Sequence, residues 1–279
     1  MSYHNTKSAR PRSRHRGLKF LLFSLVACAM IVYTLQYLAP DEITDAVVSP
    51  PSYGTGDGTF QSELEAFAQE NSLDLSVWPK DLLESGEKNP EIREFVLNYP
   101  LKQDADPEYD LKEYANSDQV PLLLQWDQRW GYREYAGGPI GLTGCGPTCL
   151  SMVSIYLLHD AKYTPEYIAE FSTKHGYSVT GSGSAWALIS EGGEALGLDV
   201  TEIPLDENRI IRNLEVGNPI ICIMGPGDFT STGHFIVMTE YVDGQIKIND
   251  PNSPLRSQQL WDYEQIKGQI LNLWVCRSL

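Results

Sequence analysis

The chain has 279 residues, 42% apolar and 21% charged, which leaves room for one substantial domain plus accessory segments. Its 37 Asp plus Glu against 21 Lys plus Arg give a net charge of −16. Six of those basic residues precede residue 20, so the clustered cations that phosphate contacts need are missing from the remainder, and nucleic-acid binding is excluded.

Residues 1–19 form a basic tail carrying Lys7, Arg10, Arg12, Arg14, Arg16 and Lys19. Residues 20–38 are an uncharged, mostly apolar run, long enough to cross a bilayer core as one helix. The positive-inside rule keeps the tail in the cytoplasm, which predicts a single-pass signal anchor in the cell membrane with the C-terminal domain outside. Two other fates fit parts of the segment. Leu25-Val26-Ala27-Cys28 resembles a lipobox that would present Cys28 for lipidation, but the apolar run continues from Ala29 to Leu38 where a lipoprotein turns polar. Cleavage would need a small-residue site, which Tyr37-Leu38-Ala39-Pro40 does not provide. All three fates export the bulk of the chain, whose 15 Lys plus Arg against 37 Asp plus Glu carry a net charge of −22. That acidity reflects solubility in an exposed setting more than recognition of a partner.

Residues 39–119 read as a stalk and a helical lead-in. Ser49-Pro50-Pro51-Ser52 and Gly54-Thr55-Gly56-Asp57-Gly58 are too polar and flexible for a core, so residues 39–75 read as stalk. Helical periodicity is weak over 60–70 and stronger over 78–99, where Leu82, Leu83, Ile92, Phe95 and Val96 recur. Such helices suit either docking on the domain or a pro-segment.

The compact domain is expected over residues 120–279. A largely buried helix is predicted over 147–158, where Cys149, Leu150, Met152, Val153, Tyr156 and Leu157 recur at helical spacing after Pro147. A second helix is predicted over 165–175 and a third over 185–196, after Gly181-Ser182-Gly183-Ser184. Strands follow at 219–224, 233–242, 245–249 and 270–275, with Asp243-Gly244 as a hairpin signal. Helices followed by an antiparallel sheet indicate an α+β domain. An even number of exported cysteines suggests disulfides, but Cys145 and Cys149 stand one turn apart, which does not suit a relaxed bridge. Cys149, Cys222 and Cys276 lie in apolar runs and read as core.

The chemistry centres on Gly144-Cys145-Gly146-Pro147-Thr148, which places Cys145 where a glycine-rich loop becomes a helix. Free N–H groups and the positive end of the helix dipole favour the thiolate there. A small buried hydrophobe is the other reading of such a cysteine. A nucleophile needs a base, and the exported part offers His159, His175 and His234. His159 ends the helix that begins beside Cys145, about 20 Å away at 1.5 Å per residue. His175 reads as helix-terminal, whereas His234 opens a strand after Ser231-Thr232-Gly233 and can face a cleft. The orienting group that an imidazole needs is Asn249 or Asp250. A strict two-residue turn sets Asn249 opposite Met238, on His234's face; a three-residue turn sets Asp250 there. Either candidate stops about 13 Å short of His234 along an ideal strand, so a bulge or bend must close the gap. An oxyanion would take the N–H of Cys145 and a side-chain amide, for which Gln125 is the candidate; a surface glutamine is the plainer reading. A zinc site from Cys145, Cys149 and His234 lacks a fourth ligand.

Leu124-Gln125-Trp126-Asp127 with Trp130, GCGPT at 144–148, GHFIVM at 233–238 and NDP at 249–251 together resemble the papain-like cysteine peptidases related to bacteriocin leader peptidases. The resemblance covers residues 120–279 and implies a papain-like fold, a central helix packed on an antiparallel sheet. It also implies Cys145 as nucleophile, His234 as base, Asp250 as orienter and Gln125 as oxyanion donor, with a peptide or protein substrate and no cofactor. Gln125 stands 20 residues before Cys145, farther than in papain. No ATP-binding cassette follows these motifs, so a stand-alone peptidase without a transporter domain is expected. The same triad serves amidases and acyl transferases acting on cell-wall peptides, and the fold also serves as a non-catalytic binding module.

Overall fold

A computed structural model describes residues 58–279. The basic tail, the predicted anchor with Cys28 and the stalk up to residue 57 lie outside the described residues. Among the described residues no helix is long and apolar enough to cross a membrane.

The lead-in forms three helices, α1 (Phe60–Glu70), α2 (Lys80–Lys88) and α3 (Arg93–Lys102). Thr59 caps α1 by accepting from the Ser62 N–H, and Asn89 caps a 3₁₀ turn, Pro90–Ile92, that runs into α3. Phe60, Leu64 and Ala68 fall four residues apart on one face of α1 and are buried. The weak helical periodicity over 60–70 is thus a formed helix, because a narrow apolar stripe suffices when a partner covers it. That partner is the pair α2 and α3, which carry the contact with the domain. Phe95 of α3 is stacked on Tyr132 at 4.4 Å, the Tyr132 hydroxyl donates to the Phe95 carbonyl at 2.9 Å, and Trp126 shares the same apolar cluster. The Phe95 ring also occupies the space beside Gly131 and Gly141, where any side chain would collide with it.

The central helix α4 (Cys145–Leu158) begins two residues earlier than predicted. Pro147 fits inside its first turn, where a backbone N–H has no acceptor. Residues 146–155 of α4 are all buried, so it is a core helix. It packs on α5 (Pro165–Lys174), which starts at a Thr164 cap and ends at His175. The third predicted helix is broken into a 3₁₀ turn, Trp186–Leu188, and a short helix, Ser190–Ala195.

The sheet contains β1 (Leu198–Glu202), β2 (Ile220–Met224), β3 (His234–Val242), β4 (Gln245–Asn249), β5 (Leu260–Trp261) and β6 (Ile270–Ser278). Its order is β1-β6-β2-β3-β4-β5, with every neighbouring pair antiparallel, as the α+β class requires. Strand β1 and helix α6 (Glu207–Leu214) are absent from the sequence expectations. Each buries only two apolar side chains, Leu198 with Val200 and Ile210 with Leu214, too few to stand out among polar neighbours. Alternation along the strands separates two cores. Ile221, Ile223, Phe235, Val237 and Trp274 pack with α4, while Cys222, Met224, Ile236 and Met238 pack with Ile210 and Leu214 of α6. Cys149, Cys222 and Cys276 are free and wholly buried, as their apolar runs predict.

Because Phe95 joins the lead-in to the domain, Phe95→Ala is expected to lower stability by about 3–5 kcal/mol. Gly141→Ala, which puts a methyl group in the ring's space, should also destabilise. Urea unfolding followed by tryptophan fluorescence measures both, and unchanged midpoints would mean that the helices contribute no docking energy.

Candidate active site

Cys145 is the first residue of α4, with Gly144 at the N-cap. Both flanking glycines are required by close approach. A Cβ on Gly144 would stand 2.6 Å from the Ile140 carbonyl oxygen, and one on Gly146 would stand 2.5 Å from Ser184 Oγ. Ser184 is in turn held at 2.7 Å by the Tyr135 hydroxyl, which also meets Ser172 Oγ at 2.8 Å. The half-buried Cys145 thiol is pushed up by burial, but a hydrogen bond and the charge from His234, with the N–H groups of Phe235 and Gly146, outweigh this. The thiol is held below its ordinary value. Burial alone dominates elsewhere, pushing Cys149 and Cys222 well up and Cys276 up to about 12.

His234 is the first residue of β3, opposite Met224, the last of β2. Its Nε2 lies 2.7 Å from Asp250 Oδ1, which leaves Nδ1 for the Cys145 thiol. Burial pulls the imidazole down, yet the charge and hydrogen bond of Asp250, reinforced by Cys145, push it up to about 10. Thiol down and imidazole up is the signature of a thiolate–imidazolium pair.

The register of β3 and β4 decides which neighbour reaches His234. Asp243 and Gly244 both have positive φ and form the two-residue turn that the sequence predicts. On that turn alone Asn249 would face Met238. Instead the pairing shifts between Met238 and Glu240, so that Met238 meets Ile248 and Val237 meets Asn249. This bulge at Thr239 advances β4 by one residue and moves Asn249 off His234's face. Asn249 Nδ2 donates to the carbonyls of Val120 and Pro121 at 3.0 and 3.1 Å. Asp250 comes into step with Ile236, two residues or about 7 Å along the strand from His234, a gap that the two side chains span. The structure thus brings Asp250, not Asn249, to the imidazole.

Asp250 is fully buried. Its Oδ1 also accepts from the Asn252 N–H at 2.8 Å, and its Oδ2 accepts from Arg256 Nε at 2.5 Å. Burial pushes the carboxyl up, and the charges and hydrogen bonds of His234 and Arg256 outweigh it, leaving the group low and ionised. Arg256, on the short helix α7 (Pro254–Ser257), is not among the sequence candidates. Ser253-Pro254, an N-cap followed by proline, is the local signal that marks this helix.

Gln125 is 3% exposed, which rules out the surface-glutamine reading. Its backbone N–H donates to the Pro251 carbonyl at 2.8 Å and its Nε2 to the Gly141 carbonyl at 2.9 Å, while Oε1 is buried without a partner. One Nε2 hydrogen remains free of the Gly141 bond. His159 and His175 lie outside the site, at the C-caps of α4 and α5. Cys145, His234 and Gln125 share the wall of a cleft of about 730 Å³ with Ser184, Trp186 and Leu271, and no aspartate, glutamate, lysine or arginine lines it. Trp186 and Leu271 are 46% and 56% exposed, forming an apolar rim. Among the described residues no group of three or more His, Cys, Asp or Glu is placed to hold a metal ion.

Comparison with curated proteins returned no match. Among solved structures the chain is similar to the peptidase domain of Streptococcus ComA, a bifunctional ABC transporter involved in quorum sensing. Identity there is 19%, covering 49% of this chain and 93% of that one, with a TM-score of 0.39. It is also similar to a protein from Bacillus anthracis described as a C39-like peptidase, at 13% identity over 62% of this chain and 99% of that one, with a TM-score of 0.41. Residues 117–277, more than half of the chain and including Cys145, His234 and Asp250, match the Peptidase_C39 like family, and the chain belongs to that family.

Proposed function

We propose that this protein is a membrane-anchored, extracytoplasmic cysteine peptidase that hydrolyses peptide bonds through a thioester at Cys145. The observation that carries the reading is the hydrogen-bonded chain Cys145–His234–Asp250, with the thiol held low and the imidazole held high by one another. The membrane and extracytoplasmic parts rest on the basic tail and the apolar run of residues 20–38.

In this reading the Cys145 thiolate adds to a peptide carbonyl, and the carbonyl oxygen takes up the negative charge. The Cys145 N–H, free at the start of α4, and the second hydrogen of Gln125 Nε2 donate to that oxygen. Collapse of the adduct breaks the C–N bond. His234 Nδ1 gives its proton to the departing amine, leaving a thioester and a neutral imidazole. The imidazole then takes a proton from water, whose hydroxide attacks the thioester. Loss of the thiolate releases the acid and restores the ion pair. Asp250 keeps the ring in place and sustains its charge throughout. The cleft, with no Asp, Glu, Lys or Arg in its wall and an apolar rim, suits an unfolded segment of neutral residues, because a charged side chain entering it would lose water and meet only the Cys145–His234 pair, whose opposite charges offset each other.

Replacing Cys145 with Ala should abolish both labelling by a thiol-directed acyl probe and cleavage of an unfolded protein. Undiminished cleavage would sink the assignment, and activity confined to peptidoglycan would transfer it to cell-wall amide chemistry.

Alkylation of Cys145 by iodoacetamide is expected to set in below the ordinary thiol value of about 8.5, since the folded site holds the thiol low. Hydrolysis should fall again as His234 loses its proton near pH 10. Asp250→Asn removes the charge that sustains the imidazolium, so the acid limb moves up, the alkaline limb moves down, and turnover falls about 10²-fold or more. A pH–rate profile that Asp250→Asn leaves unshifted would contradict the role given to this carboxylate.

Among otherwise identical peptides, those with Asp or Glu flanking the scissile bond should be cleaved more slowly than neutral ones. Equal kcat/KM across such a series would remove the cleft's role in selection.

A further inference from the structure

Glu91 lies in the 3₁₀ turn between α2 and α3, ahead of the residues that match the family. It is only 8% exposed, an unusual setting for a glutamate in a linking turn. Both of its oxygens serve a loop 162 or more residues away in sequence. Oε1 accepts from Ser253 Oγ at 2.6 Å and Oε2 accepts from the Leu255 N–H at 3.0 Å.

The loop that Glu91 holds is the one that supports Asp250. Ser253 Oγ caps α7 by accepting from the Arg256 N–H at 3.1 Å, and Leu255 N–H is one of the first-turn donors that the helix itself leaves unused. Arg256 Nε then donates to Asp250 Oδ2. The second backbone tie runs alongside, since Asn89 Nδ2 donates to the Asn252 carbonyl at 3.5 Å and the Asn252 N–H donates to Asp250 Oδ1. Besides His234, then, both of these donors to Asp250 sit on a segment gripped by the turn between α2 and α3. The lead-in also borders the cleft directly, through Ser85 of α2.

We propose that Glu91 is a positioning residue for the Asp250–His234 pair, and that the helices of residues 60–102 are a brace completing the site rather than a pro-segment to be removed. The inference rests on the reading of Cys145, His234 and Asp250 as the catalytic groups. Without Glu91 the loop loses two of its anchors, Arg256 is free to withdraw, and the Asp250 carboxylate can rotate away from the ring. A misplacement on the order of 1 Å in such a chain is costly.

The test is a double-mutant cycle on the full chain in detergent, read by iodoacetamide alkylation of Cys145 against pH, with end-point titration counting folded sites. Glu91→Gln is nearly isosteric but cannot accept both hydrogen bonds. It should slow alkylation at neutral pH about tenfold per titrated site and move the acid limb toward the ordinary thiol value. Ser253→Ala, on the other side of the contact, should do likewise. In an Asp250→Asn background Glu91→Gln should change the rate less than twofold, because the group through which it acts is already lost. Equal factors in the two backgrounds, or a Glu91→Gln acid limb that stays in place while the protein merely unfolds more easily, would overturn the brace. An Asp250→Asn variant with an unshifted limb would instead strike the reading of the catalytic groups, and the inference with it.

Discussion

Asp250 is a carboxylate with no exposure to water, and a buried charge costs several kcal/mol unless neighbours replace the hydration it gives up. Three groups do so here, all on its oxygens: His234 Nε2, the Asn252 N–H and Arg256 Nε. Each comes from a different local arrangement, a strand start, a turn and a capped helix, so the site closes only when all are folded together. The same charge raises the imidazole, and the raised imidazole lowers the thiol. The electrostatic state of Cys145 is thus set two side chains away.

Four cysteines in one domain show what burial does without such a chain. Cys149 lies on the same helix, one turn further in, and burial drives its thiol up. Cys145 differs by standing at the helix start, where free N–H groups and His234 meet it, and the flanking glycines let Ile140 and Ser184 close in around it. Position on the helix separates an inert core thiol from a candidate nucleophile.

The lead-in helices contribute to the same arrangement from outside the family region. Phe95 anchors them against Gly131 and Gly141, and Glu91 reaches across to the loop after Asp250. Gly141 also supplies the carbonyl that holds Gln125, so the docking surface and the cleft wall share one segment of chain. The cleft itself carries no ionised Asp, Glu, Lys or Arg, in a protein whose net charge is −16.

Local signals were legible in the sequence, and long-range choices were not. The buried helix after GCGPT, the strand opening with His234 and the Asp243-Gly244 turn each follow from a few adjacent residues, because periodicity and turn chemistry act over one or two turns of chain. Strand β1 and helix α6 escaped because their few apolar residues gain meaning only against β6 and the second core. Whether Asn249 or Asp250 reaches His234 turned on a bulge at Thr239. Threonine is at home in any strand, so nothing local marks the extra residue; the shifted register places Ile248 in the core and the Asn249 amide on the Val120 and Pro121 carbonyls. Arg256 and Glu91 were likewise beyond reach, since their partners lie in other segments. The sequence by itself determined which residues are candidates for the chemistry and which elements carry them. Only the tertiary structure decided which of them meet, because those contacts are between segments whose registers are set by packing rather than by spacing along the chain.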